Sequence, residues 1–338
     1  MPLTRVLRVE EVGARRVIEE SSEALLSGKL VVLPTETVYG LAAKATFVKS
    51  VERIFIVKNR PLEPLTIHFS RIEDVEDLVD EEHLYVVERA WNKLWPGPLT
   101  LIVRASSYVP KIVTAGLPCV GLRAPIHPIT SRVLDRVGPV VMPSANVSGR
   151  PSPFTGFEAL LEMFGRADLV VDAGPCIEGL ESTIVNLCSS PPTILRLGPI
   201  PPEEVSAIVG KPVEISRRAL GLEGRARYRI SKPLVLVEGD SSSPSYVSKV
   251  LEVARELASK GDRVAILCKK SREGVYRVEG FEVVSLSDDP FEAARQLFTA
   301  LRTLESLSID VVVAENWGYR GVGLAITSRL RSASISAK

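Results

Sequence analysis

Aromatic residues make up only 6% of this 338-residue chain, cysteine occurs four times and histidine three times, and no apolar run approaches the thickness of a bilayer. Each scarcity excludes something. Cys119, Cys176, Cys188 and Cys268 form no CxxC pair, and His68, His83 and His127 lie away from them in sequence, which argues against a zinc site and against a disulfide framework. Charge imbalance is also missing. A net charge of +1 gives no global attraction for nucleic acid or anionic membranes, so any anion binding must be local. The opening residues MPLTRVLRVEEVG lack the continuous apolar core of a secretion signal, so a cytoplasmic location is expected. No GxSxG, HExxH, GxGxxG or GxxxxGK[ST] motif occurs, which removes the usual signs of a covalent nucleophile, a metalloprotease and a dinucleotide or P-loop site. What is present is the composition of a soluble globular protein, 45% hydrophobic and 25% charged, in a chain long enough for two domains.

Residues 10–28 carry apolar positions at helical spacing, with Gly28 placed to end a helix. Residues 30–33 then read as a short buried strand, stopped by Pro34, which has no amide hydrogen to donate. Thr35, Glu36 and Thr37 follow, with Gly40 allowing close backbone approach, so this polar corner is either a helix cap or a ligand seat. Residues 48–57 predict a helix that runs into Lys58-Asn59-Arg60-Pro61, where two cations could be a solvated helix end or an anion site. Residues 65–69 read as a strand bearing His68. Leu84, Val87, Trp91, Leu94 and Trp95 line one helical face, more suited to a core than to stacking on bases.

Residues 99–103 and 120–123 are strand-like, and Arg123 precedes a Pro125/Pro128 loop as a candidate for carboxylate or phosphate binding. Residues 137–142 predict a strand that again stops at a proline and a polar corner, Pro143-Ser144-Ala145-Asn146, as if it were the second lip of one cleft. After a strand at 168–172, small polar residues at 179–183 introduce another. Arg196 stands between apolar neighbours and needs a carboxylate or ligand anion to be buried there.

The first domain is expected over residues 1–210. Residues 211–232 hold seven Lys or Arg against two Glu and read as a basic linker. Residues 233–338 alternate strand and helix patterns, which predicts a small Rossmann-like parallel α/β domain. The turn at Gly239-Asp240-Ser241-Ser242 lacks a nucleotide-binding fingerprint and is assigned no cofactor.

Taken together, LPTETVYGL, KNRP followed by PL, WPGPLT, VGLRAPIHP, PSANVSGRPSP, GLESTIV and ILRLGPI resemble the threonylcarbamoyl-adenylate synthases, in order through about the first 200 residues. GVGLAITSRLRSA near the end resembles the carboxyl-terminal extension of the longer, two-domain members. The resemblance implies a twisted mixed α/β first domain with a concave positive cleft. It implies synthesis of L-threonylcarbamoyladenylate and pyrophosphate from L-threonine, bicarbonate or CO2, and ATP. The product would pass to a downstream tRNA threonylcarbamoyl transferase, with direct tRNA binding left open. Mg²⁺ is expected to accompany ATP, with no covalent cofactor and no dedicated metal ligands assigned.

By motif, Lys58, Arg60, Cys119, Ser144, Asn146, Ser152 and Arg196 fall at family ATP-binding positions, with Lys58, Arg60, Ser144 and Asn146 the expected catalytic set. Thr35, His68, Arg123 and Ser182 fall at threonine-binding positions, Arg123 pairing with the carboxylate. Cys119 departs from the family, which often has threonine there. The linker sequence Tyr228-Arg229-Ile230-Ser231-Lys232-Pro233 lacks the family's histidine and second tyrosine, so Arg227 or Arg229 is expected to close over the nucleotide by charge instead. Two alternatives stand beside this reading: a carbamoyl-transfer enzyme of the hydrogenase-maturation type, and an RNA-binding, translation-associated module.

Overall fold

A computed structural model describes residues 3–223 and 230–334. Compactness divides the chain into two units, Met1–Ser148 with Ser152–Ile215, and Gly149–Pro151 with Ser216–Lys338.

The first unit opens with β1 (Arg5–Arg8), α1 (Val9–Val12), α2 (Ala14–Leu26), β2 (Val31–Leu33) and β3 (Gly40–Lys44). Next come α3 (Val48–Val57), β4 (Thr66–His68), α4 (Glu81–Lys93), β5 (Leu99–Arg104), α5 (Lys111–Thr114) and β6 (Cys119–Arg123). It continues through α6 (Pro128–Val137), β7 (Val140–Val141), α7 (Gly156–Met163) and β8 (Leu169–Asp172), and closes with β9 (Thr183–Asn186), β10 (Thr193–Arg196), α8 (Pro202–Val209) and β11 (Glu214–Ile215). Among the described residues the strands form one mixed eleven-stranded sheet in the order β1-β8-β2-β3-β7-β4-β6-β5-β9-β10-β11.

The spacing of apolar residues explains which faces are buried. Val17, Ile18 and Leu25 of α2 pack against Ile129, Val133, Leu134 and Val137 of α6, over Val31 and Leu33 of β2. Each such side chain contributes about 1.5–3 kcal/mol by leaving water. Trp95 and Phe69 meet edge to face at 5.2 Å, and the Trp95 indole donates to the Leu99 carbonyl, so these aromatics belong to the core as expected.

Three local readings change. No helix begins at the Thr35 corner: the chain turns there and returns as β3, antiparallel to β2. The Pro125/Pro128 segment is not all loop, because Pro128 takes the first position of α6, where a missing amide costs nothing, and the His127 ring accepts from Ile129 N at 3.3 Å. Since α6 runs to Val137, the strand expected from 137 shrinks to the two residues of β7.

The cysteines also correct an expectation, for Cys119 and Cys188 form a disulfide with Cα atoms 6.8 Å apart. In the sheet β5 lies between β6 and β9, with Cys119 opposite Arg104 and Leu187 N bonded to Ile102 O. The two sulfurs therefore meet across the end of β5, although 69 residues separate them in sequence.

The second unit holds β12 (Leu234–Leu236), α9 (Tyr246–Ser259), β13 (Val264–Lys269), α10 (Glu273–Val278), β14 (Glu282–Leu286), α11 (Pro290–Ser306), β15 (Val311–Ala314) and α12 (Gly321–Ala333). Its four strands pair in parallel, in the order β12-β15-β13-β14, as the alternation of patterns predicts. A buried carboxylate, Glu315, organises the carboxyl ends of these strands by accepting from the Tyr276 hydroxyl at 2.5 Å, Arg272 at 3.1 Å and Lys269 N at 3.0 Å.

Part of the basic stretch 211–232 has regular structure. Glu214 and Ile215 pair with β10, while Ala219 and Leu220 offer carbonyls to Ser328 and Arg331 of α12. Gly221, at φ 73°, is needed there, because a Cβ would sit 2.6 Å from the Ser328 carbonyl oxygen.

Candidate active site

The carboxyl end of β6 delivers Arg123, and strand register places it beside His68 of β4. Both are almost fully buried. Arg123 Nη2 donates to Glu36 Oε1 at 2.6 Å and to Thr37 Oγ1 at 2.7 Å. The corner after Pro34 thus folds back on a strand more than eighty residues away. Its own shape is set by Thr35, whose hydroxyl donates to Val38 O at 2.6 Å and accepts from the Thr37 and Val38 amides. Thr35 closes the turn, while Glu36 and Thr37 reach Arg123.

His68 is held as a neutral ring. Its Nδ1 lies 3.2 Å from the Thr66 carbonyl, an acceptor, so Nδ1 carries the proton and Nε2 a lone pair. Burial, then the charge of Arg123 and, more weakly, of Arg196, holds its pKa well below the ordinary histidine value.

Ser182 and Arg196 form a second group. Arg196 Nε donates to Ser182 O and Nη2 to Ser182 Oγ, both at 2.8 Å, and that hydroxyl also meets Thr100 Oγ1 at 2.8 Å. The β9–β10 register shifts between Ile194 and Arg196, an irregularity of the kind that re-aims a side chain. Ser182 thus answers part of the demand that a half-buried guanidinium makes for acceptors. One residue earlier, buried Glu181 accepts from Ser152 Oγ at 2.9 Å. Gly198 makes this packing possible, since a Cβ there would meet Glu181 O and Thr183 N at 2.5 Å.

Lys58, at the end of α3, is 2% exposed, and its ammonium reaches the carbonyls of Ser144 and Asn146, the latter at 2.6 Å. Its own carbonyl accepts from Ser148 N at 2.8 Å. Burial foremost, and the charge of Arg60 next, pull its pKa down to about 7, so negative charge brought nearby would raise it again. Arg60 pairs with Glu63 at 3.1 Å and keeps a buried Nε with no partner among the described residues. The two proline-ended corners do run side by side: Leu41 N bonds Pro143 O, Ala145 N bonds Tyr39 O, and Gly40 bridges Ser144.

The structure therefore gathers Arg123 and His68 on adjoining strands with Glu36 and Thr37, joins Ser182 to Arg196, and fixes Ser144 and Asn146 through Lys58. Cys119 sits at the opposite end of β6 from Arg123 and, being disulfide-bonded, has no thiol proton to donate. Arg227 and Arg229 lie outside the described residues. Sequence reading undervalued Glu36, Thr100, Glu181 and Gly198. Each lies inside a quoted motif, but its importance comes from a partner distant in the chain. Among the described residues no group of three or more His, Cys, Asp or Glu could hold a metal ion. No helix among them is long and apolar enough to cross a membrane.

A Sua5/YciO/YrdC family model, described as "Telomere recombination", matches residues 23–198. A second, described as "Threonylcarbamoyl-AMP synthase, C-terminal domain", matches residues 202–334. The chain is 35% identical to a threonylcarbamoyl-AMP synthase of Pyrococcus abyssi, with 98% of each chain covered. It is 32% identical to one of Bacillus subtilis, over 94% of this chain and 92% of that protein. The structure of P. abyssi Sua5 complexed with L-threonine superimposes with a TM-score of 0.86 at 34% identity, covering 98% of this chain and 97% of that one.

Proposed function

The chain belongs to the threonylcarbamoyl-AMP synthase family in its two-domain form, and from that premise we propose that it joins L-threonine, bicarbonate or CO2, and ATP into L-threonylcarbamoyladenylate and pyrophosphate. The observation that carries this reading is the assembly of Arg123, neutral His68 and the Ser182–Arg196 pair around one region of the mixed sheet. The carboxyl-terminal match to a synthase-specific domain favours it over carbamoyl transfer and over a simple RNA-binding module.

Chemically, the uncharged threonine amine attacks the carbon of CO2, losing one proton and giving a carbamate. A carbamate oxygen then attacks the α-phosphorus of ATP, and the bond to the bridging oxygen breaks as pyrophosphate leaves. No protein nucleophile is needed, so catalysis rests on positioning and charge stabilisation. Arg123 meets the threonine carboxylate. His68, with Nδ1 committed to Thr66, presents Nε2 as an acceptor to a threonine donor group. Arg196, held by Ser182, and Lys58 with Arg60 offset negative charge on the nucleotide, while Ser144, Asn146 and Ser152 complete its seat. Mg²⁺ accompanying ATP as substrate would supply part of the positive charge that the departing pyrophosphate requires, beside that of Lys58, Arg60 and Arg196. The product is a reactive mixed anhydride and is passed to a tRNA-modifying transferase.

The test is pyrophosphate release from ATP with and without L-threonine and bicarbonate. Release must require both; release indifferent to threonine would sink the proposal.

A further inference from the structure

The Glu36–Arg123 pair imposes a constraint on how an amino acid can be held. An arginine has five N–H donors, two of them on Nη2, and both Nη2 hydrogens are spent, on Glu36 Oε1 and on Thr37 Oγ1. Neither Nε, which is buried, nor Nη1 forms a hydrogen bond within the described residues. The end-on fork of Nη1 and Nη2, which would grip a carboxylate with two parallel bonds, is therefore half occupied by the protein.

Glu36 is itself immobilised from three directions. Its Oε2 accepts from Ile126 N at 3.2 Å, and its backbone carbonyl accepts from Ile177 N at 3.0 Å and Glu178 N at 2.7 Å. Its side chain is 2% exposed and that of Arg123 only 6%. A buried guanidinium alone would attract any anion, including phosphate groups of the nucleotide bound in the same site. Paired with Glu36, its charge is balanced, and the neutral His68 beside it adds none.

Building on the synthase reading, we propose that Glu36 is a positioning and selectivity residue. It orients Arg123 so that Nη1 alone is offered to the threonine carboxylate, and it cancels the charge that would otherwise draw phosphate into the amino-acid seat. The arrangement suits a single carboxylate carried on a zwitterion, and disfavours a dianion that would meet the Glu36 carboxylate.

The experiment uses the full-length protein and its threonine-dependent pyrophosphate release. Wild type, Glu36→Gln and Glu36→Asp are compared for KM of threonine, KM of ATP and kcat, with inorganic phosphate added as a competing anion. Glu36→Gln is expected to raise the threonine KM at least tenfold while the ATP KM stays within twofold. Phosphate should then become competitive with threonine, as it is not in wild type, and Glu36→Asp should restore part of the threonine affinity. An unchanged threonine KM in a folded Glu36→Gln protein, or equal losses toward threonine and ATP without new phosphate competition, would overturn the inference. Should Glu36→Gln not fold, Glu36→Asp is read alone: its shortened carboxylate should loosen the hold on Arg123 and weaken equilibrium threonine binding about threefold, and unchanged binding overturns the inference as well. Wild type lacking threonine-dependent release would instead overturn the synthase reading, so the two failures are distinguishable.

Discussion

Removing the Cys119–Cys188 cross-link should cost the first unit much of its margin of stability. The bond closes a 69-residue separation, for which loop-closure entropy gives about 4.4 kcal/mol at 25 °C. Spread over a first unit of about 210 residues, each contributing roughly 2.1 cal/mol/K to the unfolding entropy, that amounts to a fall of about 10 °C in Tm. Scanning calorimetry should compare the oxidised protein, the protein in excess phosphine reductant, and Cys119→Ser/Cys188→Ser. Cys188 is exposed and Cys119 only partly buried, so serine at either site leaves little cavity. Thiol titration supplies the control: Cys176 and Cys268 are buried, so the native oxidised protein should show no accessible thiol and the reduced protein two. A difference in Tm below about 2 °C, or a loss confined to the second unit's transition, would refute the reasoning.

Other outcomes follow from the site. Gly198→Ala should cost about 1–3 kcal/mol of stability and depress pyrophosphate release, because its Cβ would press on Glu181 O and Thr183 N and displace Ser182 from Arg196; a crystal structure of the variant with the Ser182–Arg196 bonds intact would contradict this. Arg123→Ala leaves Glu36 buried without its cation and should destabilise the fold by about 3–5 kcal/mol, measurable by urea unfolding, as well as abolishing threonine-dependent pyrophosphate release. With a Lys58 pKa near 7 in the free protein, ATP binding should take up protons between about pH 7 and pH 9, seen as buffer-dependent binding enthalpy, and Lys58→Arg should remove that uptake. The sign for stability is also fixed: burial disfavours the Lys58 ammonium in the fold, so its penalty is present below about pH 7 and fades as the pH rises toward the ordinary lysine value of 10.5. Because His68 stays neutral, threonine affinity should carry no histidine titration between pH 6 and pH 8; a midpoint near 6.5 that vanishes in His68→Gln would count against the neutral ring.

Local pattern was enough for much of this protein. The strand stopped by Pro34, the helix over 48–57 with its cations, the core aromatics near residue 95 and the parallel second unit all rest on signals within a few residues: apolar periodicity, a missing amide, alternation of strand and helix. The ordered motifs likewise placed Lys58, Arg123, Ser144, Ser182 and Arg196 on one list. Other features depend on partners far along the chain. Whether the Thr35-Glu36-Thr37 corner caps a helix or serves a site turned on Arg123, 87 residues from Glu36, and on register that sets β4 beside β6. The disulfide was invisible for the same reason, because only the insertion of β5 between β6 and β9 brings its sulfurs within bonding distance. Periodicity and turn chemistry are written locally and so can be read from the sequence; pairing across a sheet is a property of register, which only the folded chain fixes.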